Sequence, residues 1–270
     1  MIIAKLKNNL RKINNERNQK RLLKKKCVML NQGFLFSGRS QYFSKFGYEP
    51  FQTELITRLL KHVSLFINIG AHHGYYCCLA IKQGIPVVAF EPHPMNIAML
   101  KKHINANGYT KSFTLFEAAV GADESRLRFF GSGFTGSLLK IHKNVPSEEF
   151  QDVDVVSLNN KVNLENTKAL ILMDIEGFEI QALRGATELM EHKPYWIIEI
   201  LNSENSIPFS DVFTFMSQYG YEAWCINESS KKLTKMTIDR AKRVDRNEEK
   251  IDCTNFIFAH QSELTIEKIM

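Results

Sequence analysis

Short apolar runs of strand length alternate with segments of helical periodicity from residue 51 onward, and this alternation restricts the possible folds more than any other feature. Near-continuous apolar strands separated by helices are typical of a parallel sheet that is buried on both faces. The sequence therefore predicts an α/β fold. The predicted strands lie at 65–69, 86–90, 113–116, 170–173, 195–201, 221–226 and 254–259.

Helices are predicted between these strands. Pro94 suits the first turn of one helix. Ser210 and Gly220 are typical of the N-cap and the C′ position of another helix, at 211–219. The charged stretch 231–250 is interpreted as a surface loop. The other predicted helices lie at 51–62, at 72–83 and between Asp174 and Pro194.

One region interrupts the alternation. Arg126–Phe130 and Val153–Leu158 have strand character, yet no good helix separates them, so we predict an inserted flap at about 124–158. Gly131–Gly136 fits the pattern GxGxxG, but a dinucleotide fingerprint needs a full helix inside a βαβ unit of about 30 residues. We therefore interpret this segment as a glycine-rich loop that covers a substrate.

Positive charge is concentrated at the start of the chain. Residues 1–26 contain ten Lys or Arg and one Glu; since the 270-residue chain carries +6, the remaining 244 residues carry −3. A nucleic-acid-binding body would carry a basic face of its own, so no nucleic acid partner is expected. Residues 1–30 are predicted to form a basic, helical extension. It is solvated, or docks on a protein partner or second subunit, or lies on an anionic membrane face. Its apolar residues recur at helical spacing, at Ile3, Leu6, Leu10 and Ile13.

The cysteines indicate a reducing environment. They are odd in number and form no CxxC motif, so we predict reduced thiols with no disulfide framework and no zinc site. No apolar run reaches the roughly 18 residues of a membrane-spanning helix, and no secretory signal is recognised. A cytoplasmic protein is expected. The cysteines are Cys27, Cys77, Cys78, Cys225 and Cys253.

Three predicted strand ends carry residues that suit nucleotide binding. The loop Gly70–Gly74 follows the first strand, Glu91 ends the second and Asp174 ends the fourth. Ligands of open α/β sheets bind beyond the C-terminal strand ends, and an acid at the second strand accepts hydrogen bonds from ribose hydroxyls. The loop lacks the fuller glycine pattern that a pyrophosphate requires. NAD and FAD are therefore disfavoured relative to S-adenosylmethionine.

The motifs around these residues resemble those of FkbM-type S-adenosylmethionine-dependent methyltransferases. The resemblance runs from about Tyr48 to His260, some four-fifths of the chain. The segments that carry it are 66–76, 89–94 with Asn105 and Asn107, 119–121, 173–179 with 183–186, 198–200, and 255–258.

The resemblance implies a Rossmann-like class I methyltransferase fold for a domain at 48–262. That fold has a seven-stranded, mostly parallel sheet whose last strand is antiparallel. The resemblance also implies S-adenosylmethionine as methyl donor and a hydroxyl as acceptor. The hydroxyl is expected on a small molecule or glycan, most often a sugar of a polysaccharide, glycolipid or nucleotide-sugar pathway.

Methyl transfer from a sulfonium mainly requires that the acceptor oxygen be aligned with the methyl carbon. A sugar hydroxyl is a poor nucleophile, so a base or a metal should assist. We predict Asp174, Glu199 and Glu176 as the catalytic carboxylates, with Asp174 and Glu199 as candidate ligands of a divalent metal ion. The residues predicted to bind the cofactor are Tyr48, Glu49, Asn68, Gly70, His72, Gly74, Glu91, Pro92, Asn96, Ala119, Ser137 and Asp174.

Some of these residue types have ordinary structural uses. Glu176 and Glu179 could cap the following helix, and His72 or His73 could be either a base or a loop residue that only bonds backbone. His142, near the flap, could contact substrate or be an exposed bystander.

Four positions depart from the family pattern, and three of them, 68, 72 and 172, motivate a non-catalytic alternative. Asn68 stands in place of the first-strand acid, His72 in place of an Asn, Leu172 in place of a Lys, and Asn159 in place of an Asp. A cofactor-binding protein without catalysis, serving as a partner or scaffold, is one alternative. An NAD-dependent oxidoreductase is another.

Overall fold

The computed structural model describes residues 21–37, 48–131, 137–138, 150–201 and 208–263. The strands are β1 Val28–Met29, β2 Leu35–Phe36, β3 Leu65–Ile69, β4 Val87–Phe90, β5 Phe113–Phe116, β6 Ala119–Val120, β7 Ser125–Phe130, β8 Phe150–Val156, β9 Ala169–Met173, β10 Tyr195–Glu199, β11 Tyr221–Asn227, β12 Lys232–Met236 and β13 Asn255–His260. The helices are α1 Pro50–Leu59, α2 Tyr75–Lys82, α3 Pro94–Ala106, α4 Glu179–Arg184, α5 Thr187–Met190, α6 Phe209–Gln218 and α7 Ile238–Asp245.

The main sheet has the spatial order β12-β11-β13-β10-β9-β3-β4-β5. The five strands from β10 to β5 are parallel, and β13 runs antiparallel to both of its neighbours. The predicted Rossmann-like α/β fold with an antiparallel last strand is therefore confirmed. The sheet has eight strands rather than seven, because β12 pairs with β11 as an extra edge strand.

The extra strand shows that the prediction of a surface loop at 231–250 was wrong. This stretch contains β12 and α7. Most of β12 is exposed, as an edge strand permits, so its sequence lacks an apolar alternation. In α7 only Ala241 and Val244 are buried, and Thr237 caps the helix by accepting a hydrogen bond from the Arg240 amide at 3.2 Å.

The central strands are apolar because helices cover both faces of the sheet. All five residues of β9 are buried. Alternate residues face opposite cores: Leu170 and Leu172 pack with the core that includes α1, α2 and α3, whereas Ile171 and Met173 pack with the core that includes α4 and α6. Burying each of these side chains stabilises the fold by about 1.5–3 kcal/mol.

The N-terminal hairpin β1–β2 packs onto α3. Phe34 and Phe36 are buried, and the Asn107 side chain both donates to the Leu35 carbonyl and accepts from the Leu35 amide, at 2.7 and 2.6 Å. Residues 1–20 of the predicted extension lie outside the described residues, and residues 21–24 are helical.

The predicted N-cap Ser210 is wrong, whereas Gly220 has the expected left-handed conformation (φ 78°). Helix α6 begins at Phe209, and its first amides are bonded by a distant side chain. The Asp245 carboxylate accepts from the Phe209 and Ser210 amides at 2.7 and 2.9 Å. Asp245 lies 35 residues from Ser210 along the chain, so local sequence does not reveal this cap.

The flap strands β7 and β8 form a separate sheet with β6, in the order β6-β8-β7, which confirms the predicted inserted strands. The glycine-rich residues 132–136 lie outside the described residues. Among the described helices, none is both long enough and apolar enough to cross a bilayer.

One cysteine prediction was wrong. Cys225 and Cys253 form a disulfide across a sequence separation of 28, because Cys225 lies in β11 and Cys253 lies two residues before the neighbouring strand β13. Cys77 and Cys78 are free and buried in α2, as predicted.

Candidate active site

A cavity of about 300 Å³ lies at the C-terminal ends of β3, β4, β9 and β10. This volume falls within the range of small-molecule sites. All the predicted cofactor-binding and catalytic residues except Ser137 line it. These are Tyr48, Glu49, Asn68, Gly70, His72, Gly74, Glu91, Pro92, Asn96, Ala119, Asp174, Glu176 and Glu199.

Glycines allow the strand ends to meet at this cavity. Gly70 has φ 79°, and its amide donates to the Phe90 carbonyl at 2.9 Å, which joins the ends of β3 and β4. Gly74 has φ 82° and lies against Leu100 of α3, whose Cδ1 is 2.1 Å from the position of a Cβ at residue 74. Both positions have a left-handed backbone that favours glycine, and at Gly70 the close neighbour is the Asp174 backbone, which cannot shift cheaply.

Glu91 directly follows β4 and has a buried carboxylate held by three hydrogen bonds. It accepts hydrogen bonds from the His72 amide at 2.7 Å, the His93 amide at 2.9 Å and the Asn96 side chain at 3.2 Å. Burial raises the pKa of Glu91 to about 7, although the three donors oppose the shift. An ionised Glu91 has lone pairs left for hydroxyl donors, because a carboxylate accepts about four hydrogen bonds.

A cluster of three carboxylates occupies the other end of the cavity. Oxygen atoms of Asp174, Glu176 and Glu199 lie within 4.8 Å of one another. Burial, followed by the nearby Glu199 and Glu176 carboxylates, raises the pKa of Asp174 well above its ordinary value. The Asp174 side chain is exposed to the cavity, so water there screens its charge and weakens the shift. The shift favours a protonated Asp174, whose proton can bond the Glu199 carboxylate.

Glu49 adds a fourth carboxylate near this cluster. It accepts from the Tyr76 hydroxyl at 2.7 Å and from Nε2 of the Gln52 side chain at 2.8 Å. Burial raises its pKa to about 7. Burial, followed by the Glu49 and Asp174 carboxylates, raises the pKa of Tyr48, which therefore stays a neutral phenol.

Sequence reasoning did not assign Gln52 or Tyr76 to the site. Both line the cavity, and both are buried residues of α1 and α2 that read as ordinary core positions. The available signal was a polar Gln on the apolar face of α1. Its Oε1 atom is buried without a hydrogen-bond donor among the described residues.

The histidines of the glycine loop pack against each other and contact other protein groups. The rings of His72 and His73 stack with centroids 3.9 Å apart. Burial, followed by the neighbouring histidines, lowers the pKa of His73 to about 2, so its ring is neutral and a weak base. The His73 carbonyl accepts from Nδ1 of His103 at 2.8 Å. His142 lies outside the described residues.

The remaining predicted residues lie at the margin of the cavity or engage protein groups. Ser137 donates to the Glu176 carbonyl at 2.6 Å, and the Asn68 amide donates to Sγ of Cys77 at 3.3 Å. Oε1 of Glu179 accepts from the Gly177 amide at 2.7 Å, in the turn before α4, and no side chain of the described residues caps this helix. Asn159 bonds the Glu188 amide at the start of α5.

The flap and β13 contribute lining residues that the sequence did not indicate. Phe129 and Leu138 of the flap, together with Ala118 and Val120, form an apolar wall beside Ala119. Asn255, the first residue of β13, lines the end that contains the carboxylates. These residues come from elements far apart in sequence, and only the packed fold brings them together.

The model of the methyltransferase FkbM domain matches residues 68–223 of this chain. No curated protein sequence matches significantly. The solved structure of a methyltransferase FkbM from Methylobacillus flagellatus is similar, with 17% identity and a TM-score of 0.46, over 73% of this chain and 44% of that chain. The chain thus spans less than half the length of that protein.

Two other solved structures are similar over more of their own length. One is StiE O-MT, with 9% identity and a TM-score of 0.45, over 83% of this chain and 78% of that chain. The other is a precorrin-6y C5,15-methyltransferase from Geobacter metallireducens, with 11% identity and a TM-score of 0.45, over 83% of this chain and 93% of that chain.

Proposed function

This chain belongs to the FkbM methyltransferase domain family, and we propose that it transfers a methyl group from S-adenosylmethionine to a hydroxyl oxygen of a sugar-containing acceptor. The observation that carries the proposal is the convergence of the Gly70 loop, Glu91 and the Asp174–Glu199 pair on one cavity at the C-terminal strand ends. Open α/β sheets bind their ligands at this edge.

The cavity suits a cationic cofactor. Its described lining contains five carboxylates and no Lys or Arg, so it favours the sulfonium and ammonium charges of S-adenosylmethionine. Glu91 would accept from the ribose hydroxyls, and the apolar wall beside Ala119 would pack on the adenine. Asn68, Gly70 and Glu49 would lie toward the methionine end. When bound, the cofactor supplies an electrophilic methyl carbon on a good leaving group.

The carboxylate pair would activate the acceptor. In the protein alone, the raised pKa of Asp174 favours its protonated form, because burial and the neighbouring Glu199 and Glu176 carboxylates disfavour its charge. A positive charge held in the cavity favours the ionised form of Asp174, which then accepts the proton of the acceptor hydroxyl. Such general-base assistance contributes about 10²–10⁴ to rate.

Binding of a divalent ion is the alternative role for the same carboxylates. Oxygen ligands from Asp174, Glu176 and Glu199 are of the kind that Mg²⁺ and Ca²⁺ prefer. In that case these residues would hold the ion, and the ion would polarise the hydroxyl.

Incubation with methyl-labelled S-adenosylmethionine and a panel of glycans and nucleotide sugars tests the proposal. We expect label to appear on an acceptor hydroxyl, and calorimetry to detect S-adenosylmethionine but not NAD. Donor binding with no transfer to any acceptor would instead support a non-catalytic partner or scaffold. Binding of NAD alone would support the oxidoreductase.

A further inference from the structure

The short segment 21–29 exposes apolar and basic side chains side by side. Leu23, Val28 and Met29 are 36%, 60% and 63% exposed, and they account for three of the five exposed large apolar residues in the described parts of the chain. The basic side chains between and beside them are also exposed. These are Arg21, Lys24, Lys25 and Lys26. We call residues 21–29 the basic–apolar surface.

This surface is fixed to the body of the protein. The Lys102 ammonium of α3 donates to the Leu22 carbonyl at 3.3 Å and to the Lys25 carbonyl. Val28 and Met29 pair with Phe36 and Leu35 in the hairpin β1–β2. The outer strand of this hairpin is therefore exposed, while the inner strand is held in the core.

The surface also lies beside the cavity. Phe36, the strand partner of Val28, is one of the residues that line the cavity. Neighbouring strands are about 4.8 Å apart. A partner that binds the outer strand β1 would therefore lie close to the cavity.

The charge pattern indicates an anionic partner that contacts only this end of the protein. Residues 1–26 carry ten Lys or Arg against one Glu, whereas the rest of the chain is slightly acidic. A nucleic acid would use a basic face on the body and aromatic stacking platforms, but residues 1–33 contain no aromatic residue. A lipid bilayer instead accepts apolar side chains below a layer of anionic headgroups that attract lysines.

We propose that the basic–apolar surface docks this protein on an anionic lipid bilayer. Val28 and Met29 enter the interface between headgroups and acyl chains, and Lys24, Lys25 and Lys26 bind the anionic headgroups. Docking depends only on this surface. The inference therefore goes beyond the proposed methyl transfer and does not depend on it.

Flotation of the full-length protein with unilamellar vesicles tests this proposal. We expect binding to mixed phosphatidylcholine–phosphatidylglycerol vesicles and none to phosphatidylcholine alone. Added salt should weaken the binding, because it screens exposed charges. The triple change Lys24→Gln, Lys25→Gln and Lys26→Gln should weaken binding at least about tenfold. The double change Val28→Ser and Met29→Ser should weaken it at least about threefold, because apolar burial is lost.

Matched control variants remove exposed lysines or an exposed apolar side chain outside the basic–apolar surface. Lys61, Lys111 and Lys250 are exposed lysines outside the surface, and their joint replacement by Gln should leave vesicle binding unchanged. Leu127→Ser removes an exposed apolar residue of the flap and should also have no effect. Equal losses in these controls would show that charge or apolarity in general, rather than this surface, controls binding.

Several results would overturn the proposal. They are absence of binding to the anionic vesicles, equal binding to neutral vesicles, full binding by the Val28→Ser, Met29→Ser variant, and tighter binding to a DNA or RNA oligonucleotide than to vesicles. Calorimetry with S-adenosylmethionine on the same preparations separates the two proposals. Absent donor binding would count against methyl transfer and leave vesicle docking standing.

Discussion

The backbone oxygen of Asp174 lies 1.9 Å from the point that a Cβ on Gly70 would occupy. The ends of β3 and β9 therefore touch at the floor of the cavity, where the Asp174 amide also donates to the Ile69 carbonyl at 3.0 Å. No side chain fits between them, and this contact fixes Asp174 relative to the glycine loop.

Gly70→Ala is expected to destabilise the protein and weaken donor binding, because its methyl group would displace Asp174. Gly84→Ala is the matched control. Gly84 has φ 84° with nothing within 4 Å of its Cβ position, so it carries the left-handed strain alone, about 1–2 kcal/mol. Urea unfolding should show a larger loss for Gly70→Ala, and similar losses for both variants would argue against the contact.

Glu91→Ala should reduce affinity for S-adenosylmethionine at least tenfold, since charged hydrogen bonds are worth about 1.5–3 kcal/mol each. The fold should persist. Glu117→Ala removes an exposed carboxylate outside the cavity and should leave affinity unchanged. Calorimetry on both variants decides the assignment, and an unaltered affinity for Glu91→Ala would exclude Glu91 from the donor site.

Asp174→Asn should lower turnover more than donor affinity if Asp174 is a base or metal ligand, because the amide keeps the size but loses basicity. If Asp174 mainly holds the donor ammonium in place of the neutral Asn68, affinity should fall instead. Sensitivity to EDTA that magnesium reverses would identify a metal ligand. Asp152→Asn, an exposed flap position, is the control; wild-type turnover and affinity for Asp174→Asn would remove this residue from the site.

Stability of the ligand-free protein should fall as pH rises from about 4.5 to about 7. Burial raises the pKa of Glu49, Glu91 and Glu179 from 4.5 to about 7. Within this window the folded state holds protons that the unfolded state has released, so raising the pH favours unfolding. Urea unfolding across the window measures the slope. Glu179→Gln should flatten it, and stability that rises with pH would contradict the assignment.

Deletion of residues 1–26 should leave thermal stability and donor binding nearly unchanged. The described contacts of this segment with the body include the bonds from Lys102 to Leu22 and Lys25. Deletion of residues 1–37 should destabilise the protein strongly, because it also removes the buried Phe34 and Phe36. Thermal unfolding of both truncations tests this difference. Loss of donor binding in the shorter deletion would place residues 1–26 within the fold.

The apolar alternation of the sequence was sufficient to predict the sheet and the edge that carries the site. Gly70, Glu91 and Asp174 follow separate strands, and parallel strands end at one edge, so their convergence followed from local pattern. The extra strand β12 could not be predicted from this pattern, because an exposed edge strand needs no apolar face.

Only the tertiary structure decided how these groups behave. The pairing of Cys225 with Cys253, the cap that Asp245 places on α6, and the contacts of Glu49 with Gln52 and Tyr76 all join residues that lie on separate elements. The raised pKa of Asp174 likewise depends on burial and on Glu199, which belongs to the next strand. The sequence by itself determined which residues at the strand ends reach the cavity, because strand periodicity is local. Their charge states and partners depend on packing between distant segments, and that information exists only once the chain is folded.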